Sequence, residues 1–222
     1  MPSIEQSTAA YYAARAPEYD LVYQKPERQP DIRGIEEWVS PIFQAATVVE
    51  VACGTGYWTQ FIASRARRIV GLDTSVETLA IARRRVPSNV SLLVADAYGL
   101  PFRDRAFDSA FAGFWLSHVP RARVREFLAG LHRALRPGAT VVLIDNLYVE
   151  GSNHPISERD ARGDNYQERK LADGSTHRVL KNFPAEAELR EVALSAGARQ
   201  LEYKVWRYYW ALRYEAGDPP ST

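Results

Sequence analysis

Glu50-Val51-Ala52-Cys53-Gly54-Thr55-Gly56 holds the residue types and spacing that point most directly to chemistry. Glycines let a backbone turn sharply and approach a ligand without a Cβ in the way. A β-branched run, 47–52, precedes this turn, and a helix-forming stretch follows it. Two acids extend the pattern. Asp73 ends the next apolar run and Asp96, in Val94-Ala95-Asp96-Ala97, ends the one after. A carboxylate at the second strand end can accept hydrogen bonds from both hydroxyls of a ribose. An acid one crossover further along can accept from an adenine amino group. Either acid alone also suits a cap or turn. At successive strand ends of one sheet, the two converge on an adenosyl ligand.

The elements that must position these residues alternate. Strands are expected at 47–52, 68–72, 90–95, 107–114 and 139–145, with helices at 57–64, 75–85 and 121–135 between them. Ser75 is placed to cap the second of these helices. Apolar strands without polar alternation are buried on both faces, as in a parallel sheet with helical crossovers. The fold class expected is therefore α/β, doubly wound and Rossmann-like. Upstream, helices are expected at 4–16 and, capped by Asp31, at 31–44, with a loop at 18–30. Downstream come a loop at 146–165, a hairpin of 166–171 and 177–182, a helix at 185–196, strands at 199–205 and 208–214, and a frayed tail from 217. This gives one domain: an N-terminal cap at 1–46 and a core at 47–222 with a lid insertion at about 146–182.

With those elements in place, the chain resembles the class I S-adenosylmethionine-dependent methyltransferases. Glu50, Gly54 and Gly56 match the family's first motif, whose turn holds the methionine part of the cofactor. Asp73, followed by Thr74, matches its ribose-binding acid, and Asp96 with Ala97 matches the adenine contact. Phe107-Asp108 opens the fourth-strand motif, after which Phe114 falls where the family's backbone lies beside the cofactor; Ala52, inside the first motif, is a further cofactor-binding candidate. Leu135-Arg136-Pro137-Gly138 and the final strand pair are further family traits, so the expected sheet has seven strands with an antiparallel C-terminal strand. The segment holding Tyr11, Tyr12, Arg15 and Tyr19 is similar to one that folds over the cofactor in small-molecule members. There a Tyr face can attract a sulfonium and Arg15 can pair with the cofactor's carboxylate. The resemblance implies S-adenosylmethionine as methyl donor, S-adenosylhomocysteine as product and no metal; the first expectation for the acceptor is a small molecule methylated on oxygen or nitrogen.

The resemblance leaves the acceptor side open. His118, just past the fourth strand, is the candidate general base, or else a hydrogen-bonding residue. Tyr12, Trp58, Trp115 and His154 are candidates for the acceptor pocket. His132 and His177 are read as structural, and Cys53 as a small buried thiol. The 28 basic residues nearly balance the 27 acidic ones, for a formal charge of +1, which argues against a nucleic-acid partner. Arg65/Arg67/Arg68 and Arg83/Arg84/Arg85 are read as solvated helix faces. No apolar run approaches the ~20 residues that span a bilayer, and the first ten residues lack a leader pattern. The expectation is a cytoplasmic monomer or homodimer. A nicotinamide dehydrogenase is disfavoured, since Thr59 stands at the third glycine of Gly-x-Gly-x-x-Gly. A methyltransferase acting on RNA or protein, with Lys170 and Arg178 as a local basic patch, and a non-catalytic cofactor binder are the alternatives.

Overall fold

β-branched and apolar runs form the centre of the molecule because each strand must be covered on both faces. A computed structural model describes residues 4–217; the part of the expected tail beyond Gly217 lies outside them. In chain order the elements are α1 (Ile4–Arg15), α2 (Gln29–Val39), β1 (Thr47–Val51), α3 (Tyr57–Ala63), β2 (Arg68–Asp73), α4 (Val76–Arg85), β3 (Val90–Val94) and β4 (Phe107–Gly113). They continue with α5 (Val124–Ala134), β5 (Leu135–Asn146), β6 (Glu158–Arg159), β7 (Asn165–Lys170), β8 (Thr176–Leu180), α6 (Glu186–Ser195), β9 (Arg199–Val205) and β10 (Tyr209–Glu215).

Seven strands form one sheet in the order β3-β2-β1-β4-β5-β10-β9. β10 runs antiparallel to both its neighbours and the other pairings are parallel. The strand order reverses between β1 and β4. Ligands of open α/β sheets bind beyond the carboxyl ends of the strands at such a switch point. Val48 packs with α2 and α3 through Ile35, Val39 and Ile62, while Val49 and Val51 pack on the other face with Leu128 and Leu131 of α5. The alternating directions of one strand thus feed two cores, which accounts for the unbroken apolar runs.

Several local expectations are corrected. Residues 18–30 are not an open loop but 3₁₀ turns at Ala16–Tyr23 and Pro26–Arg28. α2 starts at Gln29, with Pro30 in its first turn, so Asp31 does not cap it. The Asp31 carboxylate instead accepts the Tyr208 amide at 2.8 Å, tying the N-terminal segment to β10. The expected loop at 146–165 contains β6, which pairs with β7 to make a separate three-stranded sheet, β6-β7-β8. Leu135 already pairs with Phe107, so the Arg136-Pro137-Gly138 turn lies inside β5 as a register shift. Arg68 lies in β2, and Arg85 is no solvated charge: it pairs with Asp20 and donates to the Thr55 carbonyl at 3.0 Å. Among the described residues, no helix is long and apolar enough to cross a membrane.

Candidate active site

Two adjoining cavities open at the switch point. The first, about 280 Å³, lies over the ends of β1, β2 and β4. Asp73, Thr74, Asp96 and Ala97 line one side of it, Ala52 and Gly54 its floor, and Tyr12, Tyr19, Phe114, Trp115 and His118 the other side. Gly54 and Gly56 turn the chain out of β1 at φ +54° and +74°, a conformation that glycine adopts without a Cβ penalty. Ala52 and Phe114 hold positive φ as well, +53° and +60°. Non-glycine residues there carry strain that clusters at ligand sites, and here both stand at strand ends on the cavity wall.

Asp73 organises this end of the sheet. Its Oδ2 accepts the Gly54 amide and its Oδ1 the Ser75 amide, each at 2.9 Å. Ser75 in turn caps α4, its Oγ accepting the Thr78 amide at 3.1 Å. Burial raises the Asp73 pKa, against the lowering effect of these amides. Asp96 Oδ1 accepts the Tyr98 amide at 2.9 Å. Two carboxylates in a lining that also holds Leu72, Ala95, Ala97 and Phe114 suit a nucleoside: polar edges for sugar and amine, apolar faces for a base.

Glu50 lies beneath this floor rather than on the wall. It is 2 % exposed, its Oε2 has no hydrogen-bond partner among the described residues, and burial pushes its pKa up to about 8. The pH consequence follows from the sign. In the unfolded chain Glu50 ionises near 4.5, while the folded carboxyl stays protonated up to about 8. The folded state therefore binds the extra proton across that window, and the Glu50 contribution to stability falls as pH rises through it. Glu50→Gln cannot titrate. Relative to wild type it should gain up to about 1.4 kcal/mol of unfolding free energy per pH unit between pH 5.5 and 7.5. Urea melts at those two pH values measure the gain; parallel profiles for the two proteins would contradict it.

The second cavity, about 210 Å³, shares Tyr12, Tyr19, Phe114 and His118 with the first. Beyond that shared wall its lining comes from the N-terminal segment (Arg15, Lys25, Arg28), the end of β5 and the segment after it (Asn146, Ser152, His154) and the small sheet with its exit (Gln167, Arg169, Lys181). His118 does not present a free base there. Its Nδ1 lies 2.6 Å from the Leu180 carbonyl, which can only accept, so Nδ1 carries the proton. Nε2 then accepts the Tyr12 hydroxyl at 2.7 Å, and the Tyr12 oxygen accepts from Arg169 at 3.1 Å. Burial, then Lys181 and Arg169, hold the His118 pKa well below its usual value, so the ring is neutral.

The sequence candidates divide accordingly. Arg15 and His154 line the second cavity, and Trp115 lines the first. Arg15 lies 5.8 and 5.9 Å from the Tyr11 and Tyr19 rings. Tyr11 and Trp58 line neither cavity. Tyr11 packs with Leu171 and Val179 beside the small sheet. Trp58 is 4 % exposed and packs in the core against Tyr23, Tyr57 and Phe114, so it is not available to an acceptor. Gly56, at the N-terminus of α3, serves the turn without reaching the wall. Lys170 and Arg178 face outward, Arg178 paired with Glu158 at 2.9 Å, so they form no free basic patch. Lys25, Arg28, Arg169 and Lys181 are the functional-site residues that sequence spacing missed. Period-two alternation along β7 separates exposed Glu168 and Lys170 from buried Arg169, but nothing in the sequence marks which set faces a ligand. His132, as expected, is structural, bonded to the Ala196 carbonyl and the Tyr214 hydroxyl, both at 2.9 Å.

A glycine turn after β1 and acids closing β2 and β3, in a sheet of this order, define an α/β enzyme that binds an adenosyl cofactor. Comparison with known proteins narrows the class. The family model described as "Methyltransferase domain" matches residues 48–138. A solved structure described as a DhpI-SAH complex is 30 % identical, superposes with a TM-score of 0.79, and is covered over 97 % of both chains. A second, the DhpI-SAM-HEP complex, is 29 % identical with a TM-score of 0.78, covering 96 % of this chain and 99 % of that one. The demethylmenaquinone methyltransferase of Staphylococcus epidermidis is 31 % identical over 145 residues, which are 57 % of this chain and 58 % of that protein. The chain thus spans little more than half the length of that curated relative. It belongs to the class I S-adenosylmethionine-dependent methyltransferases and is an enzyme of that kind.

Proposed function

We propose that this methyltransferase acts on a small molecule bound in the second cavity, with the adenosyl part of its cofactor in the first. The observation that carries this reading is the wall of Tyr12, Tyr19, Phe114 and His118 common to both cavities. A donor filling the first cavity and an acceptor filling the second meet where these four residues line both. S-adenosylmethionine, when bound, supplies an electrophilic methyl carbon and a neutral leaving group. The protein's share is then position and exclusion of water.

Asp73 is assigned to the ribose, Asp96 with Ala97 to the adenine edge, and the Gly54 turn, with Glu50 behind it, to the methionine part. Tyr19, half-buried and with a pKa raised chiefly by desolvation, stays a neutral phenol whose ring can face a sulfonium. His118 positions Tyr12 at the junction. A cavity of about 210 Å³ suits a small acceptor rather than an exposed polymer.

The test is a crystal structure with S-adenosylhomocysteine, paired with label transfer from methyl-labelled S-adenosylmethionine. The expected result puts the thioether sulfur at the shared wall and the label in the small-molecule fraction. Label found only in RNA or protein would overturn the acceptor assignment, and an adenosyl group seated in the second cavity would overturn the division.

A further inference from the structure

The charges around the second cavity are unbalanced. Among the described residues, Arg15, Lys25, Arg28, Arg169 and Lys181 line it and no Asp or Glu does. Of these five, Lys181 alone forms an ion pair with a described residue, Asp145 at 2.9 Å. Arg28 and Arg169 are 5 % and 7 % exposed, and among the described residues their hydrogen-bond partners are all neutral. Arg28 donates to Ser152 Oγ at 2.9 and 3.1 Å, to the Ser152 carbonyl at 3.2 Å, to Asn146 Oδ1 at 3.1 Å and to the Tyr209 hydroxyl at 3.5 Å. Arg169 donates to Gln167 Oε1 at 2.9 and 3.3 Å and to the Tyr12 hydroxyl. Lys25 reaches only the Ser152 carbonyl, at 2.7 Å. The neighbouring carboxylate, Glu27, is exposed and is held by the Ser152 hydroxyl at 3.1 Å. Buried guanidiniums are ordinarily matched by an anion, because desolvating an unpaired charge is costly. Even with Arg15 set against the cofactor's own carboxylate, Lys25, Arg28 and Arg169 remain, converging from two segments.

A second observation concerns protons. An acceptor that must lose a proton before attack needs a base. His118 Nε2 is occupied by Tyr12, and His154 stands exposed at the rim. With these two histidines so placed, an acceptor that arrives already ionised needs nothing more from them.

We propose that the acceptor is a small acid with a doubly charged oxyanion head, and that the methyl group goes to one of its oxygens. This rests on the second cavity being the acceptor site. An anionic oxygen forms the new C–O bond to the methyl carbon as the C–S bond breaks, its electron pair staying on sulfur. No proton moves; the acid loses one negative charge and the sulfonium its positive one. The product is a methyl ester that keeps one charge for Arg28 or Arg169. Leu21, Val22 and Tyr23 leave an apolar flank for a short carbon tail.

Calorimetry with the full chain, first saturated with S-adenosylhomocysteine, tests this. Methylphosphonate, inorganic phosphate and malonate are the anionic probes, and the neutral triester dimethyl methylphosphonate is the control. The expected result is binding of at least one dianion, none of the triester, and label transfer to the dianion that binds. Which one binds separates a phosphorus from a carbon oxyacid. Arg28→Gln and Arg169→Gln should each weaken that binding at least tenfold while S-adenosylhomocysteine affinity stays within threefold, with Arg→Lys intermediate. Equal binding of the triester, no anion bound at millimolar concentration, or unchanged anion affinity in folded Gln variants would overturn the proposal. Failure of the wild-type chain to bind S-adenosylhomocysteine would strike the cofactor reading instead, and this inference with it.

Discussion

Lys181→Met is expected to destabilise the protein by about 3–5 kcal/mol, the usual cost of stripping one partner from a buried ion pair. Asp145 has no exposed surface, and the Lys181 side chain is 5 % exposed. The ammonium donates to Asp145 Oδ1 at 2.9 Å and to Ser117 Oγ at 2.6 Å. Asp145 also accepts the Ser117 amide at 2.9 Å and the Asn146 amide at 2.8 Å. It sits at the end of β5 and ties the turn after β4 to the exit of β8. Burial alone would raise its pKa, but Lys181, with help from the amides, holds it below the usual carboxylate range. Removing the lysine leaves a buried carboxylate facing only dipoles, and its pKa must climb. Urea melts should therefore show a large loss at pH 7.5 that shrinks as pH falls toward 5, where protonation relieves the charge. Lys181→Met with Asp145→Asn should recover at least half of the loss, because Asn keeps an acceptor for the amides and carries no charge. A Lys181→Met loss under 1 kcal/mol, or one flat with pH, would show that the pair contributes little.

The contrast between this pair and the rest of the cavity shows what was readable in the chain. β1 through β3 were legible because each is an apolar run bounded by a residue with a strong local meaning: glycines after Val51, Asp73 closing β2, Asp96 just past β3. Ser75 as the α4 cap was legible for the same reason. The first cavity is built from those local signals, so most of its wall follows from motif positions. The second cavity is not. Arg28 and Ser152, or Tyr12 and His118, are brought together only by tertiary packing. Arg28 is one arginine among many in a stretch with no periodicity, and nothing local predicts its burial. Asp31 was misread because its side chain does suit a helix start; a long-range partner, the Tyr208 amide, won over the local one. Trp58 was misplaced because proximity to the glycine turn says nothing about which way an α3 side chain points. β6 has two residues and pairs only with β7, too short for any pattern to register.

Asp73→Ala should lower affinity for S-adenosylhomocysteine by on the order of 10²–10⁴-fold, given about 1.5–3 kcal/mol for each hydrogen bond to a charged group and two ribose hydroxyls. The variant has two ways to produce such a loss. The carboxylate pins the Gly54 and Ser75 amides, so its removal loosens the floor of the cavity. It also sits where ribose hydroxyls are assigned, so its removal deletes direct contacts. Asp73→Asn preserves one acceptor but turns an N–H₂ toward one of the two amides, so its affinity should fall between wild type and Asp73→Ala. A double cycle separates the two routes: wild type and Asp73→Ala, each titrated with S-adenosylhomocysteine and its 2′-deoxy analogue. If Asp73 grips the hydroxyl, removing the hydroxyl costs wild type at least tenfold and costs the variant almost nothing. If Asp73 acts only through the loop, the two losses add and the analogue is penalised equally in both proteins. The first outcome carries the assignment of the β2 acid to the sugar, and the second would reduce Asp73 to a clamp on the glycine turn.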